Sequence, residues 1–333
     1  MNLDNKGYSM RVLSGIQPSG MVHLGNYFGA LMNWVKLQDE GHDCFYFIAN
    51  LHAMTMPYEP IVLKQRTIEL TATLMAIGID PEKSTLFVQS SVKEHAELTW
   101  IFSCLAPLGE MERMIQFKEK SAHAPDSVNA GLFLYPVLQS ADILLYRPDL
   151  VPVGVDQAQH LELTRELGRK FNHRFNVQYF KEPKTLHTET VKVVGLDGTS
   201  KMSKSQNNYI GLIEEPEMIK QKLRAAATDP ARVKRTDPGT PDICNIFSLH
   251  QLLSSVEDQG WSRQGCTTAR IGCLDCKGRL FENMMRLLDP IREKYLQLMK
   301  DQDLIQDVLD AGAKKARAEA EKTMHEVYKI IGV

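Results

Sequence analysis

The sequence has no long apolar run: its longest, Cys44 to Ala49 and Leu132 to Leu138, fall far short of the ~20 residues a membrane-crossing helix needs. No transmembrane span and no membrane partner are predicted. The first nine residues are largely polar and lack the charged-then-apolar order of a secretory signal, which predicts a cytoplasmic protein. Charge of one sign is missing too. The 39 Lys and Arg against 41 Asp and Glu leave a net charge of −2, which excludes a generally basic nucleic-acid binder and confines any polyanion contact to a local face. Six cysteines in 333 residues are too few for a disulfide scaffold. Neither the phosphate loop ending in Gly-Lys-Ser/Thr nor the Gly-x-Gly-x-x-Gly dinucleotide turn occurs. There is no internal repeat and no low-complexity segment.

What is present is an apolar fraction of 43% with 24% charged residues, ordinary for a folded chain. A single core stops growing near ~250–300 residues, so two packed domains are expected. From Met10 the pattern reads as a short strand, a Ser/Gly/Pro turn at Ser14 to Gly20, and a helical stripe of Leu24, Tyr27/Phe28, Leu31 and Trp34/Val35. Gly41 is a plausible stop, and Cys44 to Ala49 reads as a strand buried on both faces. The same grammar returns: helix Glu59 to Ile77 with Gly78, strand Ser84 to Val88, a helical region Glu94 to Lys120, strand Leu150 to Val153, and a helix carrying Leu163, Leu167 and Phe171. Strand and helix alternate throughout, which predicts an α/β fold with a doubly wound parallel sheet. Open parallel sheets bind ligands beyond the carboxyl ends of their strands, so the turns after Leu13 and Val153 are the places to look for chemistry. Beyond Thr185 no clear strand follows, so the second domain is predicted to be all-helical. The Ala-, Glu- and Lys-rich stretch from Asp303 to Ile331 predicts one long helix or a pair.

Two polar segments stand out. The turn Ser14 to Gly20 opens a helix at His23-Leu24-Gly25-Asn26, where backbone N–H groups and a favourable dipole can face phosphate and His23 and Asn26 add side-chain donors. A tight turn with a polar helix start explains that segment equally well. Lys201-Met202-Ser203-Lys204-Ser205 lies in a loop with Gly195 and Gly198. Its two lysines can converge on one polyphosphate and meet charge developing on a leaving group, whereas a solvated basic loop is the plain alternative.

Together these segments resemble the two signatures of the class I aminoacyl-tRNA synthetases. Gly15 to Gly20, Glu112 to Met114, Gln116 to Lys120, Ala141 to Tyr146 and Val151 to Gln157 narrow the resemblance to the bacterial-type tryptophanyl-tRNA synthetase family. That resemblance implies a Rossmann-like nucleotide-binding catalytic domain over residues 1–205. It further implies a helical anticodon-binding domain over 206–290, and C-terminal helices over 291–333 packing back toward the first. It implies activation of L-tryptophan by ATP to tryptophanyl-adenylate and pyrophosphate, then transfer to the terminal ribose of tRNA(Trp). Charge stabilisation falls to His23, Asn26, Lys120, Lys201 and Lys204 with Mg²⁺ on the phosphates. ATP contacts fall to Gln17, Pro18, Ser19, Gly25, Asn26, Gly154, Val155, Asp156, Val193 and Lys201 to Ser205. Asp156 could equally cap the following helix. Asp142 accepts the indole N–H in this reading, which rejects competitors that leave the acceptor unpaired; pairing with Arg147 is the structural alternative. Tyr135 and Gln157 match ammonium-binding positions. Gln139, one helical turn before Asp142 on the same face, is a further tryptophan-binding position in this reading, although many family members carry Met there. A homodimer is implied as well. A tyrosyl-tRNA synthetase, which shares both nucleotide motifs, and a catalytically inactive tRNA- or nucleotide-binding paralogue are the rival readings.

Cys244, Cys266, Cys273 and Cys276 crowd into one short window, ending in Cys-x-x-Cys. A metal site is the leading expectation, although neither common zinc spacing is reproduced. Four thiolates suit Zn²⁺ and iron–sulfur alike, and the spacing does not decide. A subset of the resembling family carries a [4Fe–4S] cluster here, which favours iron. Arg263, Arg270, Lys277 and Arg279 flank the ligands and could present a basic face to tRNA phosphates. Cys44 and Cys104 read as packing residues.

Overall fold

Cys44 to Ile48 form an unbroken buried run, which only a strand covered on both faces can use. In the computed structural model, which describes residues 9–114, 128–154, 157–187 and 193–333, that run is β2 (Asp43–Ile48). It lies between β1 (Arg11–Ile16) and β3 (Ser84–Val88), and β4 (Leu150–Val153) and β5 (Lys184–His187) extend the other side. The order is β3-β2-β1-β4-β5 with every pair parallel. The expected doubly wound α/β sheet is therefore present, with its switch point between β1 and β4, flanked by the two turns singled out in the sequence. Strand β5 was not anticipated, because Lys-Thr-Leu-His is too short and too polar to read as a buried strand. The expectations placed on Lys120, Val155 and Asp156 lie outside the described residues.

The first helical stripe starts as a turn at Leu24–Asn26, passes through a π-helical turn at Tyr27–Leu31 and continues as α1 (Met32–Asp39), with Leu24, Leu31 and Trp34 buried. Helix α2 (Pro60–Ala76) begins with proline in its first turn and stops before Gly78, whose φ of 115° suits glycine. Helix α3 (Glu94–Ser103) is shorter than the helical region expected up to Lys120, since Pro107 interrupts it before a short turn at Leu108–Glu112. Helices α4 (Ala130–Tyr146) and α5 (Ala158–Arg174) bracket β4 in sequence. Phe45, Phe47, Phe87, Phe102, Tyr146 and Phe171 fill the core.

The described chain gathers into two compact units. One comprises Met1–Gly20, Asn33–Thr188 and Asp301–Val333; the other comprises Met21–Met32 and Glu189–Lys300. The first holds the sheet and α10 (Gln302–Ile331), one continuous helix capped by Asp301 and packed against β3, α2, α3 and α4. Gly312 allows that packing, because a Cβ there would overlap the Leu86 carbonyl of β3. The second unit is built from α6 (Pro216–Ala225), α7 (Asn245–Leu253), α8 (Val256–Thr267) and α9 (Cys273–Met299). It has no regular strand among the described residues, only isolated bridges. No helix among them is long and apolar enough to cross a membrane.

Candidate active site

His23 caps the Leu24–Asn26 turn reciprocally: its Nδ1 accepts from the Asn26 N–H at 3.3 Å while the Asn26 Oδ1 accepts from the His23 N–H at 3.2 Å. An Nδ1 that accepts carries no proton, so the ring is the neutral Nε2–H tautomer. Burial, then the charges of Lys204 and Lys201, push its pKa down to about 4. A neutral imidazole that still donates through Nε2 can sit beside two ammonium groups without repelling them.

The Lys201–Ser205 segment belongs to the same unit as His23. Leu24 N–H donates to the Ile210 carbonyl at 3.0 Å and Leu212 N–H to the Val22 carbonyl at 2.9 Å, stitching the two distant stretches of sequence together. A Cβ on Gly25 would lie 3.5 Å from the Met202 Cβ, so the two motifs touch. Met202 is the buried foot of the loop, and its N–H donates to the Val193 carbonyl at 2.9 Å. Buried Asn208 holds the loop closed. Its Nδ2 donates to Asp197 Oδ2 at 2.8 Å and Ser200 Oγ at 2.7 Å, and its Oδ1 accepts from the Ser203 N–H at 2.8 Å. The carboxylate of Asp197, bonded also by the Ser200 hydroxyl and the Thr199 N–H, is held below the usual carboxylate range by those donors. Ser203 Oγ and Ser205 Oγ lie 3.3 Å apart. Sequence reading named the motif and missed Asn208, three residues beyond it.

The first unit carries the other candidates. Asp142 and Tyr146 lie one turn apart on α4, with Tyr135 and Gln139 on the same stripe. Asp142 is buried, and its carboxylate takes three donors: Gln89 Nε2 at 2.7 Å and His95 Nδ1 at 2.6 Å on Oδ1, and His52 Nε2 at 2.7 Å on Oδ2. Burial alone would raise its pKa; the hydrogen bonds and charges of His52 and His95 override it and hold the carboxyl down at about 2. Arg147 takes no part. It ends α4 in the left-handed conformation with its guanidinium over the Tyr179 ring, so the pairing alternative for Asp142 does not occur.

Gln157, Tyr135 and Gln139 converge through His160. His160 Nδ1 lies 3.1 Å from Gln157 Oε1, which also accepts from Gln139 Nε2 at 3.3 Å, and His160 Nε2 lies 3.2 Å from the Tyr135 hydroxyl. Because Gln157 Oε1 can only accept, the His160 proton sits on Nδ1, Nε2 accepts from Tyr135, and the Tyr135 oxygen is turned into an acceptor. Gln139 thus contacts Gln157. The carbonyl of Gly154 accepts the Gln157 N–H at 3.0 Å, and that of Gln17 accepts the Ser19 N–H at 2.8 Å across Pro18. His52, Gln89, His95 and His160 all escaped the sequence reading. The signal that could have found three of them is position: His52, Gln89 and His95 follow the carboxyl ends of β2 and β3, as the Ser14–Gly20 and Gly154 turns follow those of β1 and β4.

The four cysteines lie at helix ends: Cys244 caps α7, Cys266 lies in the last turn of α8, and Cys273 and Cys276 occupy the first turns of α9. The Cys276 thiol feels Cys244, Cys266 and Cys273, and burial raises its pKa to about 11. Even so, among the described residues no three His, Cys, Asp or Glu side chains close into a cage for one metal ion. The metal centre expected from the spacing is therefore not formed as a single-ion site. Cys44 is buried in β2, whereas Cys104 is exposed and is not a packing residue.

Residues 5–289 match the family model of the class I tRNA synthetases (W and Y). The chain is 51% identical over 326 residues to the tryptophan–tRNA ligase of Deinococcus radiodurans, covering 97% of this chain and 98% of that one. It is 47% identical to that of Thermotoga maritima, covering 96% and 98%. The structure of tryptophanyl-tRNA synthetase from Campylobacter jejuni complexed with ADP and tryptophan superposes with a TM-score of 0.90 at 38% identity, covering 97% of this chain and all of that one.

Proposed function

This chain belongs to the class I tRNA synthetases of the W and Y family, and from that premise we propose how its residues carry out the ligation of tryptophan to tRNA. The tryptophan carboxylate attacks the α-phosphorus of ATP, the bond to the β-phosphate oxygen breaks and pyrophosphate leaves. A hydroxyl of the terminal tRNA ribose then attacks the activated carbonyl and AMP leaves. Mg²⁺ bound with the ATP would supply charge neutralisation on the phosphates. The observation that carries the assignment is the joining of His23, Gly25 and Asn26 to Met202 and its flanking lysines within one compact unit. Neutral His23 donates from Nε2 to a phosphate oxygen, while Lys201 and Lys204 meet the charge that grows as pyrophosphate departs.

On the amino-acid side, Asp142 accepts the indole N–H, and Tyr135 receives the ammonium group, joined by Gln157 once the ammonium displaces the weaker Gln139 donor from its Oε1. The depressed carboxyl of Asp142 and the acceptor orientation of Tyr135 support those roles. Gln17 to Ser19 and Gly154 serve ATP in this reading, alongside Val193 and Lys201 to Ser205. Amino-acid-dependent ATP–pyrophosphate exchange across all twenty amino acids tests it: tryptophan alone supports exchange, and equal exchange with tyrosine refutes it.

The helical stretch 206–290 serves the tRNA anticodon, and Cys244, Cys266, Cys273 and Cys276 within it would hold a [4Fe–4S] cluster in place of zinc. Four thiolates suit either group, and the resemblance to the cluster-bearing subset of the family is what favours iron over zinc. The charge of the surroundings fits a thiolate set. Buried Lys277 senses Cys273, Cys244 and Cys276 yet donates only to the carbonyls of Arg224 and Ala226, and buried Arg232, 3.5 Å from Cys266 Sγ, keeps an unpartnered Nε. Cations placed so call for negative charge on the sulfurs. Protein purified without oxygen then absorbs broadly in the visible and contains about four iron and four sulfide per chain; colourless protein with one zinc refutes it. The resemblance, with Trp100 and Leu108 exposed on the first unit, supports a homodimer acting in the cytoplasm.

A further inference from the structure

The carboxylate of Asp142 offers about four acceptor directions, and three are occupied: two on Oδ1 by Gln89 and His95, one on Oδ2 by His52. The donors are themselves fixed from behind. Gln89 Oε1 accepts the Leu51 N–H at 3.1 Å, which settles which end of its amide faces Asp142. His95 Nε2 lies 2.9 Å from the Tyr146 hydroxyl, and that ring has no exposed surface. With its Nδ1 proton committed to the carboxylate, His95 meets the Tyr146 hydroxyl through Nε2, so both ring nitrogens are held. Tyr146 stands one helical turn from Asp142, so the chain Tyr146 to His95 to Asp142 closes a rigid loop around α4 and α3.

We infer that His95, keyed by Tyr146 and seconded by Gln89, is a positioning residue for substrate choice, holding Oδ1 of Asp142 saturated so that the one acceptor direction left lies on Oδ2. A ring N–H can use that direction; a ring C–H or sulfur cannot, and leaves a buried lone pair unsatisfied. The inference rests on Asp142 receiving the indole N–H. His95 itself touches no substrate. It acts by denying Asp142 the freedom to rotate toward any other geometry, at the cost of a fully buried polar triad whose members all find partners.

The test compares tryptophan with its analogue carrying sulfur in place of the ring N–H, using kcat and KM in pyrophosphate exchange. His95→Leu removes the donor at similar volume, His95→Asn keeps an amide N–H near the Nδ1 position, and Tyr146→Phe removes only the key. With His95→Leu the KM for tryptophan rises about 10- to 100-fold, as expected for loss of a hydrogen bond to a charged group, while the KM for ATP and for the sulfur analogue hold. The preference for tryptophan shrinks by the same factor, His95→Asn restores most of it, and Tyr146→Phe falls between. A purely structural role would lower the melting temperature and affect both amino acids and ATP alike; an unchanged preference in folded His95→Leu overturns the inference. Should His95→Leu not fold, an unchanged preference in Tyr146→Phe does so instead. Asp142→Ala separates the two layers: if it leaves the preference intact, the indole assignment fails and the role of His95 with it.

Discussion

Asn208→Ala is the most direct probe of how the lysine loop works. The side chain is buried, and its amide makes three good hydrogen bonds within the loop, to Asp197, Ser200 and the Ser203 N–H. At about 1 kcal/mol each, their loss raises the closed loop by about 3 kcal/mol relative to open forms, which corresponds to roughly 100-fold. Global stability changes less, because the remaining contacts of the unit persist. The closed form positions Lys201 and Lys204, whose interaction is strongest as pyrophosphate leaves, so the loss falls on kcat of exchange and on kcat/KM for ATP, with the KM for tryptophan nearly constant. Steady-state exchange with each substrate varied in turn reads this, and a thermal melt checks folding. Asn208→Asp keeps the acceptor for Ser203 but faces Asp197 with a second carboxylate, and is expected to be no better than alanine. A kcat within threefold of wild type for Asn208→Ala would refute the claim that this amide organises the catalytic lysines.

Three other outcomes follow from the geometry. The His23 ring titrates near pH 4 by NMR, and removing a neighbouring cation with Lys204→Ala moves that midpoint upward. Since the folded pKa lies below the ordinary 6.5, His23 costs stability as pH falls from 6.5 toward 4 and contributes nothing to an activity change between pH 7 and 8. Asp142 has the opposite sign: its depressed pKa supplies about 2 kcal/mol above pH 3.8 that is lost as pH falls through about 2, and Asp142→Asn shows a correspondingly flatter acid-unfolding curve. Gly312→Ala forces α10 away from the Leu86 carbonyl and lowers the melting temperature by roughly 5–10 °C, whereas Gly260→Ala, open on all sides within α8, does not lower it.

The parts of this molecule that could be read from sequence are those encoded by neighbouring residues. Strands β1 to β4 announce themselves through apolar runs, and the two nucleotide motifs are consecutive stretches whose residue types alone suggest phosphate chemistry. Strand β5 is hidden because four polar-leaning residues gain their strand geometry from pairing with β4, a tertiary term. The π-helical turn at Tyr27–Leu31 leaves the apolar stripe almost unchanged, so periodicity does not reveal it. The partners of Asp142 were invisible for a related reason: His52, Gln89 and His95 are single polar residues on three separate elements, and nothing local distinguishes a buried histidine from a surface one. The cysteines show the reverse. Their crowding is obvious in sequence, yet crowding along the chain does not set sulfur-to-sulfur distances.

The seating of Gly312 on Leu86 has a bearing on biosynthesis. Edge strand β3 leaves the ribosome early, while its covering helix emerges roughly 220 residues later, a wait of about 10–45 s at ordinary elongation rates. Through that interval Leu86 and Phe87 belong to a nascent chain with an unprotected β-margin, open to sticking to neighbours on a polysome. A stop codon anywhere before Gly312 makes the exposure permanent, so premature termination products are destined for degradation or inclusion bodies even when every nucleotide-contacting residue has already been translated.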